Sequence, residues 1–480
     1  MAVLTEIEPK NVFKYFEEIC SIPHGSGNTK QISDYCVSFA EEHGLRYIQD
    51  SSNNVIIFKD AAPGYEKSAP VILQGHLDMV CEKELSCGID FEKDGLSLRL
   101  DDGIISAEGT TLGGDDGIAV AMGLALLAAD DIPHPPLEVV LTVDEEIGML
   151  GAAALDCSPL KSRLMLNLDS EDEGVLLVSC AGGVTAACHL PVSREEVHGT
   201  KVMLKISGLT GGHSGVEIDK GRANANQLMG RLLNEISKAL PYSLISVDGG
   251  LKDNAIPREA VAEIVLENAA AIQAVVEKYQ NIFEVEYRGV DPGLSVKAII
   301  GETGQFKAAD SVSKKHMIAA LVNLPGGIQR MSVDIPGLVQ TSLNMGILKT
   351  ASAEMIMSFS VRSSVGTEKE ELVSRLSSLM DLLGGTVECA GNYPAWEYKP
   401  DSRLRSVMIE VFEEQYDHKP EVAAIHAGLE CGLFAGKLPG LDCVSFGPDI
   451  KDIHTPKESM DTASVRRVWN YVLKILERLA

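Results

Sequence analysis

Apolar and polar positions along the first 183 residues predict helices that alternate with short buried strands. Helical periodicity covers Pro9 to Cys20 and Asn28 to His43, and a third helix is predicted to begin near Asp116 in an apolar stretch of small residues. Three short apolar runs predict strands, at 70–74 (PVILQ), 137–143 (LEVVLTV) and 163–168 (RLMLNL). This alternation indicates an α/β domain whose central sheet is mostly parallel and flanked by helices.

The pattern changes after Gly183. Strands such as 200–209 (TKVMLKISGL) and 353–364 (AEMIMSFSVRSS) alternate apolar and polar residues, which is typical of a sheet with one wet face. Amphipathic helices are predicted at about 221–240 and 368–383. From about Pro394 the α/β pattern returns, with a helix at 400–416, a strand at 441–446 (LDCVSF) and a last helix at 459–480. The sequence therefore predicts one α/β domain (1–183 and 394–480) interrupted by an inserted α+β domain (184–393).

Charge and composition exclude several classes of function. The formal net charge is −27, whereas binding to nucleic acid or to an anionic membrane surface needs clustered Lys and Arg. No apolar run reaches the length of a membrane span, and the N-terminus does not resemble a secretory signal. The ten cysteines form no CxxC pair, so we expect reduced thiols in a cytoplasmic protein.

Imidazoles and carboxylates follow the predicted strands of the α/β domain. His76 and Asp78 come directly after strand 70–74, Asp144-Glu145-Glu146 after strand 137–143, and Asp169 after strand 163–168. Ligands of open α/β sheets bind outside the carboxyl ends of the strands, so these side chains are expected at one edge. His454 reaches the same edge through a short loop after 441–446, and Asp115 lies in a glycine turn at a predicted helix start.

Each of these segments alone is more often a surface turn or a solvated helix start than a ligand. Together, two histidines and three carboxylates are what two adjacent divalent cations need. Imidazole and carboxylate suit Zn²⁺, with Co²⁺ or Mn²⁺ as substitutes.

Five motifs in this order carry a family resemblance: GHLDMV, GGDDG, TVDEEIG, NLDSE and DIHTP. With them, the whole chain resembles the co-catalytic zinc peptidases and deacylases that include carboxypeptidase G, aminoacylase and tripeptidase T. Four further segments are similar to the dipeptidases of this family that cleave Xaa-His substrates: GLTGGHSGVEIDKGRANAN, DNAIPRE, SVRSS and HAGLECG.

The resemblance implies a role for each residue of the metal site. His76 and Asp169 would bind one Zn²⁺, Glu146 and His454 the second, and Asp115 would bridge the two. Asp78 would orient His76. Glu145 would be the general base that activates a water between the two cations and passes its proton to the leaving amine.

The inserted domain is expected to supply further site residues. His213, in GGHSG, is the family's candidate for an oxyanion donor, although an isolated histidine in a glycine loop is more often bonded locally. Asn254, Arg362 and Gly428 occupy positions that hold the C-terminal side of the substrate in similar dipeptidases. Arg362 is either a bidentate clamp for a carboxylate or half of a structural ion pair. The resemblance also implies that the inserted domain is a lid and the interface of a homodimer.

The sequence thus predicts a dinuclear zinc metallopeptidase that hydrolyses unblocked dipeptides of the Xaa-His type. A tripeptide aminopeptidase or an N-acyl amino acid deacylase would use the same chemistry. A catalytically silent binding protein is the alternative of a different class. The presence of Glu145 argues against a catalytically silent protein, because chains that lose activity usually lose the general base or a metal ligand first.

Overall fold

The computed structural model describes residues 3–479, which form two compact units. Unit 1 contains the described residues up to Cys180, the segment Tyr398–Ala424, and those from Leu429 onward. Unit 2 contains Ala181–Glu397 and the short segment Ile425–Gly428. None of the described helices is long and apolar enough to cross a membrane. The ten cysteines are free thiols, and seven of them are buried.

Eleven α-helices lie within residues 3–479. They are α1 (Lys10–Cys20), α2 (Lys30–Glu42), α3 (Gly114–Ala128), α4 (Leu150–Ala154), α5 (Ala225–Ala239), α6 (Ile272–Glu286), α7 (Ser311–Asn323), α8 (Gly366–Leu382), α9 (Arg403–Tyr416), α10 (Glu430–Lys437) and α11 (Thr462–Leu479). Two short 3₁₀ helices cover Ile218–Lys220 and Ala269–Ala271.

The strands of unit 1 form two sheets. They are β1 (Arg46–Gln49), β2 (Val55–Lys59), β3 (Val71–His76), β4 (Leu98–Asp101), β5 (Ile104–Ala107), β6 (Leu137–Thr142), β7 (Leu164–Asn167) and β8 (Val175–Cys180), and near the C-terminus β20 (Glu421–Ile425), β21 (Asp442–Ser445), β22 (Ile450–Lys451) and β23 (Ser459–Asp461). The larger sheet has the order β1-β2-β6-β3-β7-β21-β8-β20, and the smaller has the order β22-β23-β5-β4.

The four central strands of the large sheet, β6, β3, β7 and β21, run parallel. Outside them, β2 is antiparallel to β6, and β8 is antiparallel to β21. Strands β3 and β6 are buried along their whole length, because helices cover a parallel sheet on both faces. Helix α3 packs its apolar residues, such as Val120 and Leu124, into the same core as α1 and α11. The α/β architecture predicted from the sequence is confirmed, with antiparallel strands added at both sides of the parallel centre.

Unit 2 is built on an antiparallel sheet of nine strands. Its strands are β9 (Gly182–Pro191), β10 (Arg194–Ser207), β12 (Ser243–Gly249), β14 (Ala260–Leu266), β15 (Ser295–Ala309), β16 (Gly327–Met331), β17 (Val339–Thr350), β18 (Glu354–Ser363) and β19 (Thr386–Tyr393). The order is β15-β10-β14-β12-β17-β18-β9-β19, and β16 pairs with β17. A separate pair joins β11 (Gly212–His213) to β13 (Ala255–Ile256). Helices α5 to α8 bury one face of the large sheet, as the predicted α+β insertion requires.

Candidate metal centre

The register of the parallel strands in unit 1 places the predicted ligands at one sheet edge. His76 is the last residue of β3 and pairs with Thr142, the last residue of β6. Glu145 and Glu146 follow β6 after a short turn, and Asp169 follows β7, which also pairs with β3. Because parallel strands end on the same side, their following residues converge.

The carboxylate of Asp115 lies between two histidines. Its Oδ1 is 3.2 Å from Nε2 of His76, and its Oδ2 is 3.2 Å from Nε2 of His454. Each histidine has one more carboxylate near the same nitrogen: Asp169 Oδ1 lies 3.7 Å from His76, and Glu146 Oε1 lies 2.9 Å from His454. The structure therefore brings all five predicted ligands together as two groups that share Asp115.

This donor set fits divalent cations. Ligand atoms of Asp115, Glu146 and His454 all lie within 4.8 Å of one another. Oε1 of Glu146 is buried and accepts no hydrogen bond, despite its distance of 2.9 Å from His454. The pKa of Asp169 is raised to about 7, chiefly by burial and also by the nearby Asp115 and Glu146, against the opposing effect of His76. A cation in each group would satisfy the unpaired oxygen and offset this repulsion.

Hydrogen bonds set the tautomer of His76. Its Nδ1 lies 2.9 Å from the main-chain oxygen of Asp78 and donates to it, which leaves the Nε2 lone pair facing Asp115 and Asp169. The Asp78 carboxylate is 3.6 Å from Nδ1 and instead accepts the N–H of Glu145 at 3.0 Å and the hydroxyl of Ser26 at 2.8 Å. Asp78 thus orients His76 through its main chain and fixes the turn of Glu145 through its side chain.

Glu145 does not belong to the group formed by Asp115, Glu146 and His454. One of its carboxylate oxygens, however, lies within 4.8 Å of ligand atoms of His76 and Glu146. The pKa of Glu145 is raised to about 9, chiefly by burial and also by Asp169 and Glu430, against the lowering effect of His76. Two cations beside this carboxylate would lower its pKa towards the range in which a general base operates.

Three buried carboxylates of the site were missed by sequence reasoning. Asp116 accepts the main-chain N–H of His76 at 3.1 Å. Glu430 accepts hydrogen bonds from Gln74 at 2.6 Å and Thr142 at 2.7 Å, so it joins the ends of β3 and β6. Glu458 binds the glycine turn before Asp115. The signal for Glu430 and Glu458 was their position inside or just after the HAGLECG and DIHTP motifs.

The predicted substrate residues all lie in unit 2. His213 on β11 pairs with Ala255 on β13, and Ser214 N–H donates to the main-chain oxygen of Asn254 at 2.8 Å. Arg362 on β18 pairs with Ser342 on β17. The hydroxyl of Ser342 is 2.8 Å from Nε2 of His426, two residues before Gly428.

Arg362 forms no ion pair within residues 3–479, and its Nε is buried without a hydrogen-bond partner there. Its hydrogen bond is to the hydroxyl of Tyr393, at 3.2 Å. Burial, Arg362 and His213 together lower the pKa of His426 to about 4. A guanidinium among neutral imidazoles, with no carboxylate paired to it in the described chain, is suited to an anionic ligand.

His213 is held as a neutral donor. Its Nδ1 accepts the N–H groups of Gly215 and Val216, each at 3.2 Å, so the ring proton is on Nε2. Burial and then Arg362 lower its pKa, which keeps the ring neutral. The main-chain N–H of His213 donates to Glu217 Oε2 at 2.8 Å and fixes the turn.

Comparisons with known proteins identify the family of this chain. The model of peptidase family M20/M25/M40 matches residues 72–478. The chain is 37% identical to the cytosol non-specific dipeptidase of Escherichia coli (strain K12), covering 100% of this chain and 99% of that protein. The crystal structure of aminoacylhistidine dipeptidase from Vibrio alginolyticus superposes with a TM-score of 0.94 at 36% identity, covering 99% of this chain and 98% of that one.

More distant structures share the fold. Aminopeptidase PepT from Bacillus cereus has a TM-score of 0.57 at 15% identity and covers 98% of this chain and 99% of its own. The family resemblance inferred from the five motifs is confirmed. The chain belongs to peptidase family M20/M25/M40.

Proposed function

We propose that this protein is a two-metal dipeptidase that hydrolyses unblocked dipeptides, with Xaa-His dipeptides among its substrates. The observation that carries the proposal is the carboxylate of Asp115, whose two oxygens each lie 3.2 Å from a different histidine. The names of the Escherichia coli and Vibrio alginolyticus relatives support the substrate class.

In this proposal, His76 and Asp169 would hold one cation, Glu146 and His454 would hold the second, and Asp115 would contribute to both. The imidazole and carboxylate donors favour Zn²⁺, with Co²⁺ and Mn²⁺ as functional substitutes. When bound, the two cations supply Lewis-acid polarisation of the scissile carbonyl and acidify water.

Glu145 is the proposed general base. Asp78 holds its main-chain N–H at 3.0 Å, so the turn is fixed while the carboxylate takes no hydrogen bond from Asp78. Glu145 takes a proton from the attacking water and delivers it to the nitrogen of the leaving amine, which completes hydrolysis with no net change in the enzyme.

Recognition of the substrate's carboxylate is assigned to Arg362, with Asn254 and Gly428 holding the same end of the substrate. The support is the unpartnered Nε of Arg362 and its lack of an ion pair in the described chain. His213 offers a neutral Nε2–H to the developing oxyanion, because its Nδ1 is occupied by two main-chain N–H groups.

We further infer a cytoplasmic homodimer in which unit 2 forms the lid and the subunit interface. The name of the Escherichia coli relative supports the location. The net charge of −27 disfavours nucleic acid and anionic membranes as partners.

The deciding experiment compares four substrates on one metal-loaded preparation: a free dipeptide ending in His, its N-acetyl form, its C-terminal amide and a tripeptide. We expect fast cleavage of the free dipeptide only, abolished by a chelator and restored by Zn²⁺, Co²⁺ or Mn²⁺. Preference for the acetylated substrate would instead identify a deacylase, and preference for the tripeptide an aminopeptidase. No metal-dependent cleavage of any of the four would contradict the proposal and leave a binding protein.

A further inference from the structure

The carboxylate of Glu458 is buried against four consecutive main-chain N–H groups. Only 3% of the residue is exposed. Oε2 accepts the N–H of Leu112 at 2.8 Å and of Gly113 at 3.3 Å, and Oε1 accepts those of Gly114 at 2.8 Å and Asp115 at 3.4 Å. The last of these groups belongs to the residue that lies between the two histidines.

The glycine turn is shaped to admit this carboxylate. Gly113 has φ of +68°, in the left-handed region that favours glycine. A Cβ on Gly114 would come within 3.3 Å of Oε1 of Glu458. The turn precedes the regular part of α3, so its N–H groups have no partner within the helix and donate to the carboxylate instead.

Glu458 also ends the loop that carries His454. Strands β22 and β23 form a hairpin, and residues 452–458 connect them. Within this loop the N–H of Glu458 donates to the main-chain oxygen of Thr455 at 3.0 Å, and the Thr455 hydroxyl donates to that of Asp452 at 2.7 Å. His454 itself has φ of +60°, a conformation that needs support from its surroundings.

The glycine turn before Asp115 and the loop that carries His454 are therefore joined by two contacts. His454 Nε2 contacts Asp115 Oδ2 at 3.2 Å, and Glu458, four residues further along, binds the main chain of Asp115. A shift of the Asp115 main chain would move both of its carboxylate oxygens relative to both histidines.

We propose that Glu458 is a positioning residue that fixes the turn of Asp115 relative to the His454 loop and so sets the spacing of the two cation positions. This inference rests on the proposed function. It assigns to Glu458 an effect on metal affinity and on kcat, beyond the stability that any buried, hydrogen-bonded carboxylate contributes.

The test compares Glu458→Gln with a matched control, Glu138→Gln. Glu138 is 4% exposed and accepts the main-chain N–H groups of Lys161 at 2.9 Å and Ser162 at 3.1 Å, also in unit 1. In either variant the amide keeps one acceptor oxygen and turns an NH₂ group towards main-chain donors. Glu458→Asp, which keeps the charge on a shorter side chain, serves if the glutamine variant does not fold.

The readouts are the Zn²⁺ dissociation constant by chelator competition, the visible spectrum of the Co²⁺ form, Tm, and kcat and KM at saturating metal. For Glu458→Gln we expect roughly 10–100-fold weaker Zn²⁺ binding, an altered Co²⁺ spectrum and a fall in kcat larger than any rise in KM. Glu138→Gln should lower Tm but keep wild-type metal affinity and spectrum.

The inference would be overturned if Glu458→Gln kept the Zn²⁺ affinity and Co²⁺ spectrum of the wild type, as Glu138→Gln should. The same result in Glu458→Asp would overturn it if the glutamine variant does not fold. Either result would leave the two-metal site intact. A wild-type protein that binds no Zn²⁺ at all would overturn the proposed function and this inference with it. The wild-type titration, run first, distinguishes the two failures.

Discussion

Adjacent carboxylates of this chain differ in what they can do because their surroundings differ. Glu146 presents Oε1 to His454 at 2.9 Å, in the group that includes Asp115. Glu145 is held through its main chain by Asp78, and its carboxylate is not among the atoms around His454. In the proposed mechanism, Glu146 binds a cation and Glu145 moves a proton.

Replacing Glu145 should separate these two roles. Glu145→Gln should keep its bound metal, because the five proposed ligands are intact. Its kcat should fall about 10²–10⁴-fold, because the proton acceptor is lost. Glu146→Gln, one residue away, should lose metal and activity together. Metal content by atomic emission and kcat on a free dipeptide would measure both. Near-normal turnover in Glu145→Gln would refute its role as the base.

At this scale the sequence predicts ligands better than the residues that hold them. The five proposed ligands lie in motifs at strand ends or at a helix start, where residue type and position together are informative. Glu458 and Glu430 act on main-chain N–H groups or on neutral side chains such as Thr142, and many sequences could provide such acceptors. Only the fold shows which carboxylate reaches the turn of Asp115.

At the scale of elements, the apolar runs predicted β3, β6, β7 and β21, which are the parallel strands that lead to the site. The edge strands β1 and β20 were missed; both are very short, and most of their residues are half-exposed. Helix α3 begins at Gly114, but Asp115 and Asp116 have non-helical φ and ψ. The regular helix therefore follows the predicted start near Asp116.

The crossing of β3 and α3 should be sensitive to one methyl group. A Cβ on Gly75 would lie 2.5 Å from Oδ2 of Asp116 and 2.7 Å from Cβ of Ala119. Gly75→Ala should therefore cost about 1–3 kcal/mol of unfolding free energy and weaken metal binding, because His76 is the next residue. Urea unfolding and metal titration would measure these effects.

Gly88→Ala provides the control for this change. A Cβ there meets no atom within 4 Å, and Gly88 lacks a positive φ. It should leave both quantities unchanged. Equal stability of Gly75→Ala and Gly88→Ala would show that α3 can move away from β3 without cost.

An ion pair ties the segment after β7 to α11 and should make stability depend on pH. Arg467 donates to Glu173 at 2.7 Å and 2.5 Å, and Tyr416 donates at 2.6 Å. Burial raises the pKa of Glu173, but these hydrogen bonds outweigh it, so its net pKa is below the usual value. The stabilisation is complete above the unfolded-state pKa of about 4.3 and is lost as pH falls through the folded-state pKa.

Glu173→Gln should accordingly be less stable than wild type at pH 7, by about 1–3 kcal/mol. The difference should shrink as the pH falls below the unfolded-state pKa of about 4.3 towards the lowered folded-state pKa. Urea unfolding at pH 7, pH 4.5 and pH 3 would measure it. A difference that stays constant over this range would mean that the charge of Glu173 contributes nothing to stability.

For the whole molecule, the change in strand pattern after Gly183 predicted an inserted α+β domain, and unit 2 begins at Ala181. The segment Ile425–Gly428 gave no such signal, because four residues carry no periodicity. The structure groups it with unit 2: Ala181 N–H donates to the main-chain oxygens of Ile425 at 3.2 Å and Ala427 at 3.0 Å. Long-range main-chain pairing of this kind cannot be inferred from local patterns.

The proposed homodimer predicts that two inactive variants will complement each other. His213 lies in unit 2 and Glu145 in unit 1, on segments distant in sequence, and the proposed mechanism needs both at one reaction centre. If each centre takes Glu145 from one subunit and His213 from the other, a heterodimer of Glu145→Ala and His213→Ala contains one complete centre and one that lacks both groups. Each variant alone should keep its metal and be nearly inactive.

After unfolding and reassembly of an equimolar mixture, half of the dimers should be heterodimers, each with about half of the activity of a wild-type dimer. The mixture should then recover roughly a quarter of wild-type activity, a gain far above either parent. Differently tagged subunits, isolated by sequential affinity steps, would establish that exchange has occurred. The control mixture of Glu145→Ala with Glu145→Gln should recover nothing, because no arrangement restores the base. Verified heterodimers without activity would mean that His213 acts within its own subunit or takes no part in the reaction. A protein that is monomeric at the assay concentration would rule out a shared centre directly.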